Sequence, residues 1–169
     1  MKKLTYIFSI LAIATATMFV GCKPETKGEL GEPFDKLEGI SGTWKISKFS
    51  QIDLNNPIQE ERDLSEFFIV DGEESTSIVF SKDGQTFTVN PGPGKNYFGT
   101  TGTWAFDNND APSIITLTNS ETLVESEFVL GSIVRSFDNT LVMQLKRVCD
   151  DGAGNVIDLV IYKFEFERQ

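Results

Sequence analysis

Few side chains in this chain could do covalent chemistry. Its 169 residues include no histidine and two cysteines, Cys22 and Cys149, against 25 acidic residues. Without an imidazole there is no Ser–His or Cys–His pair, and the usual general base and metal ligand are both missing. Two thiols cannot build a Cys-rich zinc site. Cys149 has neither a histidine partner nor an evident helix N-terminus, and reads as a buried or half-buried apolar thiol. The run Asp107-Asn108-Asn109-Asp110 offers oxygen ligands for calcium. It lacks the Gly and the distal Glu of an EF-hand loop, so a solvated hairpin is the plainer reading. The stretch 90–99, NPGPGKNYFG, has glycines and a lysine that invite a phosphate. It lacks the Gly-Lys-Ser/Thr ending, and no helix follows. The acids are numerous, but nothing singles out a pair. No catalytic constellation, metal or cofactor emerges, and the chain reads as non-enzymatic.

The chemistry of Cys22 depends on what precedes it. Lys2 and Lys3 form a positive start, and a mostly apolar run follows from Leu4 to Val20. The run then closes as Phe19-Val20-Gly21-Cys22. This has the layout of a secretory signal, and its end resembles the lipobox of bacterial lipoproteins, with Phe19 where Leu is more usual. That resemblance implies a thioether to diacylglycerol at Cys22 and cleavage before it. The run is short and Thr-rich for a spanning helix, which needs roughly 20 predominantly apolar residues. Two or more acyl chains make a stable anchor, so residues 1–21 are read as signal and the protein as tethered to a membrane through Cys22. Lys23 follows the cysteine rather than Asp. By the same resemblance this favours the outer membrane of a cell envelope, facing either the periplasm or the exterior. Residues 22–36 are rich in Pro, Gly and charge and read as the lipidated Cys with a flexible tether. Residues 37–169 read as one folded domain. Removing residues 1–21, with two lysines and no acid, leaves 13 basic and 25 acidic residues, a net charge of −12. That excludes a nucleic-acid footprint and an anionic lipid surface.

The elements that must position these residues are strands. Runs rich in Val, Ile, Thr and aromatics recur at 43–53, 76–81, 86–90, 102–106, 113–118, 127–137, 141–149 and 156–167. Turn residues such as Lys82-Asp83-Gly84 and Asp138-Asn139-Thr140 separate them. Short connections favour antiparallel neighbours in chain order. Eight strands in a meander predict an all-β, antiparallel up-and-down barrel, with a sandwich as the alternative. One segment departs from the pattern. Asp63 and Glu66 have the spacing of a capping box, and Leu64, Phe67 and Phe68 fall on one helical face. A short helix is therefore expected over about 59–70, inserted between the first two strands, either across a barrel mouth or packed outside.

The first strand opens SGTWKI (41–46), and TGTWAF (101–106) nearly repeats it. Gly42-x-Trp44 at the entry to the first strand resembles the lipocalin and wider calycin signature. That resemblance implies a Trp packed across a closed barrel base, a Gly for close backbone approach and a basic residue of the last strand over the indole. Tyr162, Phe164, Phe166 and Arg168 share one parity, which puts Arg168 in phase for a cation–π contact with Trp44. Trp104, three strands later, is expected near the opposite mouth. Over about 35–169 the pattern resembles the small lipocalin-like lipoproteins of unknown function common in Bacteroidota. The chain departs from true lipocalins in having no disulfide and no helix after the last strand.

Parity puts Trp44, Ile46, Ile78, Phe80, Phe87, Val89, Trp104, Phe106, Met143, Leu145, Tyr162 and Phe164 inside. Of these, Phe80, Phe87, Trp104, Met143 and Tyr162 are the candidate lining of a ligand site. Lys48 and Arg147 share parity with inward residues, and Asp158 with Tyr162. A charge held inside needs a partner or a ligand, unless a strand bulge flips it out. Tyr97 and Phe98 are expected at a mouth or a partner surface. An eight-stranded barrel is either filled by its own side chains or holds one small ligand. Two readings follow: a module binding a small apolar or amphipathic molecule, or a filled barrel contacting another envelope protein.

Overall fold

The computed structural model describes residues 34–131, 139–150 and 152–169. The expected signal, Cys22 and the tether as far as residue 33 lie outside the described residues, as does the end of the strand expected at 127–137. The compact unit runs over Phe34–Gln169.

The unit opens with a short helix, α1 (Lys36–Ile40). Asp35 is its N-cap, with Oδ1 accepting from the amides of Leu37 at 2.9 Å and Glu38 at 3.4 Å. Nine strands follow: β1 (Gly42–Asp53), β2 (Glu61–Asp63), β3 (Ser77–Ser81), β4 (Thr86–Asn90), β5 (Thr101–Phe106), β6 (Ile114–Asn119), β7 (Glu125–Leu130), β8 (Thr140–Asp150) and β9 (Val156–Arg168). β1 and β3 to β9 pair antiparallel in chain order, and β9 returns to β1. The result is a closed eight-stranded up-and-down barrel. The closing seam runs from Trp44 opposite Arg168 to Asp53 opposite Val160. β3 accompanies only the first part of β1, from Gly42 to Lys45. Further along, β2 takes that edge by pairing with Ser50 to Ile52, a ninth strand outside the closed cycle.

The helix expected over 59–70 does not form there. β2 occupies its start, and a single 3-10 turn, Ser65–Phe67, stands in its middle. Asp63 bonds Ser65 through both its amide (2.9 Å) and its hydroxyl (2.6 Å), a local Asx bond in place of a helix cap. The Leu64 amide is drawn to the Phe49 carbonyl at 2.9 Å. Phe67 faces solvent while Phe68 is buried, so the apolar face read from the sequence is split. Among the described residues the α-helix is α1, before the first strand.

Inside and outside alternate along most strands, as in β4 (TFTVN), where Phe87 and Val89 are buried between exposed neighbours. Two bulges break the rule. The β1–β9 register shifts between Ile46 and Lys48, turning Phe49 inward opposite Phe164 and Lys48 outward to Glu61 at 3.3 Å. The β8–β9 register shifts between Arg147 and Val148, turning Asp158 outward to an ion pair with Lys146. Neither Lys48 nor Asp158 is an interior charge.

One continuous core fills the barrel. Trp44, Phe80, Phe87, Phe128, Phe164 and Phe166 are its largest buried side chains, each contributing roughly 1.5–3 kcal/mol by leaving water. The outer part of the β8–β9 hairpin runs past this core, with residues 146–150 and 156–158 all exposed.

Candidate functional site

The barrel has two unlike ends. At the base, where β1 begins and β9 ends, the chain is locked. The Trp44 indole donates to the Ile40 carbonyl at 2.6 Å. The Arg168 guanidinium lies 4.4 Å from the centre of the Trp44 ring. It also donates to the carbonyls of Ser41 (2.8 Å) and Gly39, pinning α1 across the opening. Gly42 has φ +126°, and a Cβ there would stand 3.1 Å from an Arg168 nitrogen. Lys82, in the β3–β4 turn, reaches Asp35 at 2.7 Å and ties the helix to the wall. This hydrogen bond is the main reason the Asp35 carboxyl sits below its ordinary pKa.

Trp104 belongs to this same end. Its indole donates at 3.1 Å to the carbonyls of Ser81 and Thr86, both in the β3–β4 hairpin that closes the base side. The expected position near the opposite mouth is corrected by register: β5 pairs β4 only from Thr101 to Thr103, so Trp104 runs on past the base end of β4. Phe80 and Phe106 meet it edge-on at 5.9 and 5.2 Å.

The mouth is built differently. The segment 91–99 leaves β4, passes Thr76 and Phe68, and turns into the barrel. Gly92 and Gly94 sit where a Cβ would strike the Thr76 backbone and the Phe68 ring. The Gly92 amide bonds the Thr76 hydroxyl at 3.0 Å. Asn96 bonds the Phe98 amide at 2.9 Å and the Gly99 carbonyl at 2.7 Å, closing a tight turn. The turn drives Phe98 into the core beside Phe164 (4.8 Å), Phe128 (5.3 Å) and Phe166 (5.8 Å). Tyr97 stays half-buried above it, with Tyr162 at 5.2 Å and Phe164 at 5.5 Å. Phe49 and Phe68 complete this ring cluster, 4.3 Å apart.

Polar groups cap the rings. Burial pushes the Tyr97 hydroxyl pKa up, and a hydrogen bond with Tyr162 adds to the rise. Arg147 is close enough to oppose that rise with its charge. It follows Met143 and Leu145 on the inward face of β8 but lies beyond the core, exposed at the rim. Gln51, opposite Tyr162 in the seam, joins them on the inward side of β1. Beside this rim, a shallow polar hollow is lined by Gln51, Asp53, Asn56, Glu60, Glu61 and Arg62.

The five candidate lining residues therefore do not form one surface. Phe80, Phe87 and Trp104 pack in the base half, Met143 is buried opposite Phe164, and Tyr162 alone belongs to the mouth cluster. Phe49, Phe68 and Phe98 were not among them. A bulge concealed the first and a broken helical pattern the second. A signal for Phe98 existed, since a Phe in a Gly- and Pro-rich loop needs somewhere to be buried. Cys149 is exposed on the β8–β9 hairpin rather than buried, because that hairpin has left the core behind. Asp107 spends both carboxylate oxygens on its own loop, on the Ser113 hydroxyl and on the amides of Ser113 and Ile114.

The chain belongs to the lipocalin-like domain family, whose model matches residues 40–143. The match takes in α1's last residue, the Gly42-x-Trp44 entry, β1 to β7 and the first four residues of β8; β9 closes the barrel beyond it. No curated protein matches the chain at a significant level. The lipocalin-like barrel suggests the binding of small molecules, generally without catalysis.

Proposed function

We propose that the protein is a lipid-anchored envelope protein that binds a small apolar or amphipathic molecule at the barrel mouth. The anchor is the thioether at Cys22 implied by the sequence, and the outer membrane is the favoured address. One observation carries the ligand reading: the mouth joins a cluster of aromatic rings to a rim of Tyr97, Tyr162, Gln51 and Arg147. Apolar walls with a few convergent polar groups are what a small-molecule site requires. Family membership supports the same reading.

The second reading, a filled barrel that contacts another envelope protein, has its own support. Exposed apolar side chains stand at the mouth end, Ile58, Leu123 and Val124 on its loops and Val156 at the start of β9. Native mass spectrometry of the full chain, purified in detergent from its own host, separates the two. A reproducible extra mass of small-molecule size that is lost on denaturation is the expected result. Repeated purification of the bare chain with one envelope protein attached would establish the second reading.

A further inference from the structure

We propose that residues 91–99 are a displaceable plug, and that Phe98 holds the place of the aromatic ring of a ligand bearing an acidic head group. This inference rests on the small-molecule reading above. Phe98 is carried by the connection between β4 and β5, yet its ring contacts are with β7 and β9. The loop thus reaches across the barrel, filling with one phenyl ring the space between Phe128, Phe164 and Phe166. Contacts between rings favour offset and edge-on geometries over the face-to-face sandwich, and a ligand ring in the slot can adopt the same ones as the phenyl.

The loop is built to move as a unit. Its internal bonds run through Asn96, and its polar ties to the wall are few: the Gly92 amide to Thr76 and, at its start, the Asn90 side chain to Ser77 at 3.3 Å. The other ties are packing, of Gly94 under Phe68, of Gly99 against Asn119 and of the Tyr97 and Phe98 rings on the mouth cluster, and a ligand ring can take over the ring contacts. Gly99 ends it at φ +83°. Outward from the ring slot stand Tyr97 and Tyr162, and Arg147 is two residues beyond Leu145, the partner of Tyr162, on the exposed rim of β8. Among the described residues Arg147 forms no ion pair, although acids outnumber bases in the chain. A carboxylate or sulfonate there gains a guanidinium and the one hydroxyl donor that the Tyr97–Tyr162 hydrogen bond leaves free.

The test titrates the full chain in detergent with 2-naphthoate and with its neutral counterpart, 2-naphthamide, by calorimetry, with empty micelles as the blank. Phe98→Ala should bind 2-naphthoate at least tenfold more tightly than the wild type. Adding Arg147→Gln should remove about tenfold for 2-naphthoate and leave 2-naphthamide unchanged. A folded Phe98→Ala with no gain overturns the proposal. Should that variant not fold, Phe98→Leu keeps most of the bulk without the ring and should still gain severalfold; no gain overturns it equally. In the wild type, saturating 2-naphthoate should speed hydrogen exchange at the Gly92 amide, which bonds the wall at Thr76, and unchanged exchange overturns the plug. A host-derived ligand bound while the Gly92 amide stays protected would overturn the plug and leave the small-molecule reading standing.

Discussion

At the residue scale, Arg168 does three jobs with one planar group. It covers Trp44, holds the carbonyls of Ser41 and Gly39, and fills the space left by the missing side chain of Gly42. Lysine matches the charge but not the two-pronged geometry. Arg168→Ala should destabilise the protein by about 2–3 kcal/mol, since it leaves part-buried carbonyls unpaired and removes the cation–π contact. Arg168→Lys should cost about half of that. Thermal melts of the three proteins check the order, and an alanine variant as stable as wild type would show the base lock to be idle. The partnership was legible in the sequence because Arg168, Phe166, Phe164 and Tyr162 keep an unbroken parity back from the end of β9. No bulge lies between Trp44 and Arg168, so counting by twos reached the right face.

At the scale of elements, the sequence was read well where strands are regular and poorly where they bend. Seven of the eight barrel strands lie within a few residues of their expected spans, and the strand expected at 127–137 does so at its start, its expected end lying outside the described residues; alternation and turn residues are local signals. Parity alone grouped Lys48 and Asp158 with inward residues and left a bulge as the alternative; the bulges decide for it, because each adds one residue to one strand and only the partner strand shows where. The helix expected at 59–70 failed for a related reason. Its capping pattern was real, but β1 offered Leu64 a backbone partner across the sheet. The β5–β6 loop shows a carboxylate used in the opposite sense, as a fixed internal acceptor. The Ser113 hydroxyl first, then the amides of Ile114 and Ser113, hold the Asp107 carboxyl far below the ordinary carboxylate range. A depressed folded-state pKa contributes stability above the unfolded value, about 4, and that stability is lost as pH falls toward the folded value. Asp107→Asn should therefore melt lower than wild type at pH 7, and the gap should narrow below about pH 4. A gap constant down to pH 2 would mean that the charge of Asp107 has no part in holding the loop.

At the scale of the whole molecule, the barrel is graded from a locked base to a looser mouth. Closure depends on β1 meeting β9, strands from opposite ends of the folded unit, so the seam cannot form until most of the chain is in place. The base half of that seam is flanked by fully buried side chains, among them Trp44, Phe164 and Phe166. The far half is not: β9 from Val156 to Asp158 and β8 beyond Leu145 are exposed on both faces. Opening a segment costs in proportion to the buried contacts it gives up, so local stability should fall along the barrel axis. In native-state hydrogen exchange, amides at 44–46 and 164–168 should exchange only with global unfolding. Those at 148–150 and 156–158 should exchange at least a hundredfold faster, by local opening. Equal protection along the seam would mean that the β8–β9 extension is covered in solution, and would turn attention from the mouth's rings to whatever covers Val148, Val156 and Ile157. A gradient places the softest part of the sheet beside Tyr97 and Arg147, where a bound molecule would have to enter, and leaves the base rigid enough to hold the barrel closed while it does.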